Sequence, residues 1–376
     1  MTLTVLRKDL AAALAVLARV VERRSSIPIL THVRLALDGN DLTLTATNLD
    51  LEARAALTVS GNFGSPGPAA ITTPAHMLND ILKKLPDDAE VALERDWSSP
   101  TGKLTIKSGR ARFQLQVLDA ADFPDLEITP FTHGFTLPAA ALQAALKPVS
   151  FAISREETRY YLCGVYLHVA DGQLIAVATD GHRLGRMMME APAGAAGMPG
   201  IIVPARMVQE LLGLAERHKG DIAVQLSSSK IRATAGATVI TSKLIDGTFP
   251  DYQRIMPQAS AVQATLPREA LGQALARVTT VASEKSRAVA FDFGPGRLLV
   301  EVSNPEAGTA SEELEVGYSA AQNLHIGFNA AYVMEILEVM QGGEVQWAFG
   351  GGGSPSQITC AALPNLTTVL MPMRLT

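Results

Sequence analysis

The sequence predicts an α+β chain of three tandem homologous domains, because one apolar pattern occurs three times along its 376 residues. The segments VLRKDLAAAL, LPAAALQAAL and LPREALGQAL open the copies. Val5, Leu137 and Leu266 lead, followed in register by Leu10, Leu142 and Leu271 and then by Leu14, Leu146 and Leu275. After each comes a stretch that alternates apolar with polar residues: LALDGNDLTLTATN, LHVADGQLIAVATD and FDFGPGRLLVEVSN. Helical spacing followed by period-two spacing argues for a helix and then half-buried strands. A repeat of about 130 residues is too long for a solenoid of roughly 20 to 50 residue units, so each copy is a domain.

Each copy opens with a strand running into its first helix. Short turns at Asp38-Gly39-Asn40 and Asp171-Gly172 then fold the alternating stretches into antiparallel hairpins. A second helical pattern follows: TPAHMLNDILKKL, VPARMVQELLGLA and FNAAYVMEILEVM. Pro74 and Pro204 suit a first helical turn, where a missing N–H costs little, and Asn329 suits a helix cap. More alternating strands end each copy, so every domain reads as two smaller copies of one unit. The runs LDAADFPDL and IDGTFPDY close the first two copies and set the expected domains at 1–129, 130–258 and 259–376. The Gly- and Pro-rich stretches at 61–69 and 191–200 read as crossover loops within domains.

A composition of 47% hydrophobic and 18% charged residues excludes disorder for most of the chain. Arg7, Lys8 and Asp9 interrupt the start, and no later run has membrane-spanning length, so a soluble, cytoplasmic protein with no membrane partner is expected. Cys163 and Cys360 lack a CxxC pattern and read as buried small hydrophobes. A net charge of −5 argues against nucleic acid, but its distribution reverses that reading. Basic residues concentrate on expected helices: Arg7, Lys8, Arg19, Arg23 and Arg24 on the first, then Lys83, Lys84, Arg206, Arg217, Lys219, Arg268 and Arg277. Acidic residues such as Asp87, Asp88, Glu90, Glu306, Glu312 and Glu313 fall on loops and strands.

Catalytic signatures are scarce. Asp180 and His182 in TDGHRL could form an acid/base pair, but neighbours on an extended segment face opposite ways, and a turn at a strand end explains them better. FGGGGSPS lacks the GxxxxGK[ST] of a phosphate loop and reads as a hairpin turn. The seven histidines show no metal-ligand spacing, and no serine sits in a GxSxG elbow, so neither catalytic residues, a metal nor a cofactor is expected. The tail VLMPMRLT is apolar where most termini are polar, and methionines beside a proline suit an adaptable binding surface.

The triplication, RYYL at 159–162, TDGHRL at 179–184, FPDY at 249–252 and MPMRL at 371–375 together resemble the bacterial sliding clamps, the beta subunits of DNA polymerase III. That resemblance implies a head-to-tail homodimeric ring, helices lining its hole and antiparallel sheets outside, which encircles double-stranded DNA without sequence preference. It also implies a clamp loader, the polymerase III alpha subunit, and other polymerases and repair proteins as partners. These would dock leucine- and phenylalanine-anchored peptides in a hydrophobic pocket. Carried over residue by residue, the pocket would comprise Leu162, Thr179, Gly181, His182, Arg183, Leu184, Pro250, Arg254 and Ile255, with Asn329, Tyr332, Val369, Leu370, Met371, Pro372, Met373, Arg374 and Leu375. Arg24, Tyr160 and Tyr161 would meet DNA; Phe113 and Leu115 would face Thr280 and Val281 of the other copy at ring closure. Three departures concern partners: Ser286 at the pocket rim, Glu156-Glu157 before RYYL, and Thr376 beyond the usual final leucine. Two other classes compete with this reading: an enzyme using Asp180 and His182, and a protein scaffold that ignores DNA.

Overall fold

The structure is a computed structural model that describes residues 2–62, 69–95, 99, 102–126, 130–257, 262–282 and 288–375. The expected domain limits at 129 and at 258–259 lie outside the described residues, as do Ser286 and Thr376.

The first repeat contains β1 (Thr2–Leu6), α1 (Arg7–Val20), β2 (His32–Asp38), β3 (Asp41–Thr47), β4 (Leu51–Thr58), β5 (Ser60–Asn62), β6 (Ala69–Pro74), α2 (Ala75–Lys84), β7 (Glu90–Glu94), β8 (Gly102–Ser108) and β9 (Ala111–Val117). The second contains β10 (His133–Pro138), α3 (Ala139–Leu146), β11 (Gly164–Ala170), β12 (Gln173–Thr179), β13 (Arg183–Glu190), β14 (Ile201–Pro204), α4 (Ala205–Arg217), β15 (Asp221–Leu226), β16 (Lys230–Ala235) and β17 (Thr238–Lys243). The third contains β18 (Val262–Pro267), α5 (Arg268–Val278), β19 (Ala288–Gly294), β20 (Arg297–Asn304), β21 (Gly308–Glu315), β22 (Gly317–Tyr318), β23 (Leu324–Asn329), α6 (Ala330–Val339), β24 (Glu344–Phe349), β25 (Ser356–Thr359) and β26 (Leu366–Leu370). Each repeat thus runs strand, helix, strands, strand, helix, strands, as the periodicity predicts. Asp171 and Gly172 both take positive φ, the turn whose twist matches a hairpin.

Several expectations need correction. Helix α1 stops at Val20 because Val21 is already extended (φ −74, ψ 130), so Arg23 and Arg24 lie in the bend beyond it. Lys219 likewise follows the end of α4. Pro74 and Pro204 end strands, one residue before their helices begin. Part of the basic set is occupied internally: Arg7 pairs with Asp87, Arg277 pairs with Glu312, and Arg268 donates to the carbonyls of Gly342 and Leu337. Cys360 is buried, but Cys163 is only half-buried; its thiol pKa is raised by burial, with Glu157 and Glu156 adding to the effect.

Strand pairing does something that hydropathy does not encode. The described residues form two compact units, Met1–Ala139 with Gly213–Leu244, and Ala140–Leu212 with Ile245–Thr376. The first unit holds a five-stranded sheet, β5-β1-β7-β8-β9, and an eight-stranded sheet, β10-β15-β16-β17-β4-β3-β2-β6. The eight-stranded sheet joins two repeats through β17 and β4, with Ile240 opposite Ala53. The second unit holds a nine-stranded sheet, β14-β11-β12-β13-β26-β25-β24-β18-β22, joined at β13 and β26 with Leu184 opposite Val369, and a four-stranded sheet, β21-β20-β19-β23. Each joint is crossed by the chain that leaves the preceding repeat. At the first, Arg34 pairs with Asp125 at 3.1 Å and lies over the Phe123 ring, while buried Glu52 accepts the Leu126 N–H at 3.3 Å. At the second, Phe249 stacks on Tyr166 at 4.9 Å, and the Tyr252 hydroxyl meets His168 Nε2 at 3.0 Å.

The third repeat is cored by Trp347, Phe291, Phe293, Phe328 and Phe349 in edge, tilted and stacked contacts, with ring centroids 4.8 to 6.3 Å apart. The indole Nε1–H donates to Ser356 Oγ at 2.9 Å, and that hydroxyl donates to Leu370 O at 3.1 Å. The aromatic core thereby fixes the last residue of β26. Replacing Ser356 with Ala leaves the buried indole N–H without its acceptor, and is expected to lower stability by about 1–3 kcal/mol, read as an earlier urea midpoint.

In the first unit, buried His32 meets Thr72 Oγ1 at 3.0 Å, and burial lowers its pKa from 6.5 to about 4. Between those pH values the unfolded chain binds a proton that the fold refuses, so stability falls as pH falls through that window. The slope reaches about 1.4 kcal/mol per pH unit, and His32→Asn should narrow the gap between urea midpoints measured at pH 7 and pH 5.

Candidate functional site

All the expected pocket residues lie in the second unit. Leu162, Leu184 and Val369 meet in one buried cluster with Ile175, Val177, Ile202, Phe249 and Tyr252. Leu162 arrives from the 3-10 turn Glu157–Leu162, Leu184 from the start of β13 and Val369 from β26. Three segments distant in sequence thus supply one apolar floor. Pro250, Arg254 and Ile255 are exposed beyond it; Arg254 pairs with Asp251 at 2.8 Å, and the apolar Ile255 side chain stands in solvent.

The TDGHRL run is a polar turn built on side-chain caps. Thr179 Oγ1 accepts the Gly181 N–H at 3.1 Å, and Asp180 Oδ1 accepts the N–H groups of His182 and Arg183 at 2.9 and 3.0 Å. Gly181 has φ +89, a backbone conformation that favours glycine, whereas the one close neighbour of an added Cβ, the end of the Arg159 side chain, could swing aside. The Asp180 carboxylate is occupied by backbone and by Arg183 Nε at 3.1 Å, while the exposed His182 ring stacks on Tyr332 at 6.4 Å. This is the strand-end turn and not an acid/base pair. On the same turn of chain as Leu162, hydrogen bonds from Thr158 and Arg159 hold the Glu156 carboxyl below the usual carboxylate range.

The tail closes the arrangement. Strand β26 is buried throughout, and the carbonyl of Leu370 at its end accepts the Ser356 hydroxyl that also holds the Trp347 indole. Beyond it the Met371 N–H donates to His182 O at 2.8 Å. Pro372 cannot continue the ladder, and Met373 N–H crosses to Gly327 O at 2.7 Å. Met371, Met373 and Leu375 keep exposed side chains, and Pro372 to Leu375 line a cavity of about 390 Å³ with His325, Ile326 and Gly327. Asn329 is buried and caps α6 by accepting the Ala331 N–H, so it contributes position rather than surface.

Gly327 was not evident from the sequence, although its place directly before the FNAAY helix was a signal. A Cβ on it would lie 2.6 Å from Met373 O. Among the other expected residues, Arg24 is exposed in the bend after α1, and Tyr160 is exposed with its ring edge-on to Tyr161 at 5.7 Å. Phe113 is half-buried and Leu115 buried on β9, an outer strand. Thr280 and Val281 are not on a strand: they form the 3-10 turn Thr279–Val281, which packs beside β20 and β21. Gly350 to Gly353 form the turn between β24 and β25, as expected. Among the described residues no group of three His, Cys, Asp or Glu side chains could hold a metal.

Three family models match in succession: the N-terminal domain of the DNA polymerase III beta subunit over residues 1–127, its central domain over 136–251 and its C-terminal domain over 253–374. The chain belongs to the DNA polymerase III beta subunit family. It is 40% identical to the beta sliding clamp of Caulobacter vibrioides and 35% identical to that of Escherichia coli, each match covering all of both chains. Its fold superposes on the sliding clamp of Bartonella birtlesii bound to griselimycin with a TM-score of 0.94 at 40% identity, and on Caulobacter crescentus pol III beta with a TM-score of 0.92 at 40% identity, again over all of both chains. The family function is that of a sliding clamp, a non-catalytic subunit that serves processivity, which overturns the enzyme reading of Asp180 and His182. Its partners are DNA and polymerases or tethering peptides. Among the described residues no helix is long and apolar enough to cross a membrane.

Gly327→Ala is expected to displace the clamp's tail from β23. Carboxypeptidase should then release the last residues severalfold faster than from the unaltered chain, while the far-ultraviolet circular dichroism spectrum stays the same.

Proposed function

We propose that two copies of this chain pair head to tail into a ring around duplex DNA, and that the surface at the tail takes short peptides anchored by leucine and phenylalanine. The observation that carries the peptide reading is the crossing of the tail to Gly327, which leaves Met371, Met373 and Leu375 exposed, the last two lining a cavity, directly after the strand that brings Val369 to the Leu162 and Leu184 floor. Apolar anchors with flexible methionine walls suit partners of varied sequence. Those partners are the polymerase III alpha subunit, the clamp loader, and other polymerases and repair proteins. The remaining pocket residues are Thr179, Gly181, His182, Arg183, Pro250, Arg254, Ile255, Asn329, Tyr332, Leu370, Pro372 and Arg374.

For ring closure, β9 and β21 are each the outermost strand of a sheet. The first carries Arg112 beside Phe113; the second carries Glu312, Glu313 and Glu315. Outer edges of opposite charge favour pairing with each other over self-pairing, with Thr280 and Val281 beside the junction. Arg24, Tyr160 and Tyr161 contact DNA. Such contacts are independent of sequence and weaken with salt, so enclosure, not affinity, retains the protein. Domain limits near 129 and 258, supported by the three separate family matches, divide the chain, and it works in the cytoplasm.

The test uses nicked circular plasmid, the cognate loader and ATP, followed by gel filtration in high salt. Bound protein is expected to survive on circles and to leave once the plasmid is cut, because electrostatic binding alone ignores DNA ends. Equal retention on both forms would overturn the ring.

A further inference from the structure

The pocket has two walls drawn from different repeats, the TDGHRL turn before β13 and the first turns of α6, and the Arg183 guanidinium touches both. Arg183 has only 7% of its side chain exposed. Its plane lies 4.2 Å from the Tyr332 ring and 5.3 Å from the Phe151 ring. On one side Asp180 Oδ2 meets Nε at 3.1 Å. On the other, Glu335 Oε2 lies 2.8 Å from Nη1, an ion pair whose alignment falls short of a hydrogen bond. Tyr332 and Glu335 are three residues apart on α6 and share a face, so the helix presents a ring and a carboxylate to the same cation.

We propose that Glu335 is a positioning residue of the peptide site, acting through Arg183; the inference rests on the peptide-pocket reading above. A nearly buried cation needs its charge answered, and Asp180 is already shared with two backbone N–H groups. Glu335 supplies the second carboxylate and draws Arg183 against Tyr332, and Tyr332 in turn carries the stacked His182 ring. Without Glu335 the one carboxylate left on the guanidinium is Asp180 of the TDGHRL turn, its hold on Tyr332 slackens, and the distance between the walls is no longer set. The residue is half-exposed at the rim of a cavity of about 360 Å³ lined by Asp180, His182, Arg183 and Tyr332.

The test measures binding of a fluorescein-labelled pentapeptide containing two leucines and a phenylalanine, by anisotropy, together with the His182 ring signals by NMR on the full chain. Glu335→Gln is expected to weaken the peptide about tenfold, because the nearly buried Arg183 loses one of its two carboxylate partners. It should also shift the His182 ring signals before peptide is added, while Glu335→Asp restores both. A purely structural role would lower the melting temperature and leave the His182 signals and the Asp variant's recovery unlinked to affinity. If the unaltered protein binds the peptide and Glu335→Gln binds it equally well, the positioning role is overturned and the pocket stands. If the unaltered protein does not bind it, the pocket reading falls and the positioning role with it.

Discussion

A strand at the edge of a sheet must find a partner, and that requirement organises this chain. Each repeat folds into two sheet portions that would expose hydrogen-bonding edges if the repeats stood alone. Pairing β4 with β17 and β13 with β26 removes four such edges by making larger sheets out of neighbouring repeats. The five-stranded and four-stranded sheets remain, with β9 and β21 as outer strands. The connecting segments, the joints and the position of the tail follow from these pairings. Strand β26 reaches the floor of the site because it is the partner of β13.

The two joints show how one framework yields two surfaces. Thr47 and Asn48 accept the N–H groups of Leu49, Asp50 and Leu51 just as Thr179 and Asp180 accept those of Gly181, His182 and Arg183. Asp50 O receives Lys243 N–H as His182 O receives Met371 N–H. The side chains diverge at equivalent register. Glu52, opposite Thr47 and Thr241, stands where Leu184 stands opposite Thr179 and Val369. Leu49 holds a positive φ of 79° where the second joint has glycine. The first joint is therefore polar and covered by its own connecting segment, which buried Glu52 holds by the Leu126 N–H. The second has an apolar floor.

Much of this was legible in the residues. The threefold leucine register located the repeats, period-two alternation located the hairpins, and the asparagine before the last helix is the cap that its side chain suggested. The floor of the site was legible only through a resemblance, since Leu162, Leu184 and Val369 are ordinary apolar residues until pairing unites them. Three things could not be read locally. Helix α1 ends three residues before Arg23 for reasons of backbone turn, not composition. Whether Arg277 faces solvent or Glu312 depends on a strand 35 residues away. That a sheet continues from one repeat into the next is a long-range choice that hydropathy leaves open.

The pairing of β4 with β17 also governs the order of events during synthesis. Residues 51–58 leave the ribosome long before residues 238–243 exist, so the outer edge of β4 is unpaired while nearly the whole second repeat is being made. A nascent chain in that state offers a template for the wrong strand. Glu52, Arg54 and Asp50 on and beside β4 put charge on that edge during the interval, and the same Glu52 later holds the connecting segment in place. One acidic residue thus acts first as a guard for an unfinished sheet and then as a fastener for the completed one.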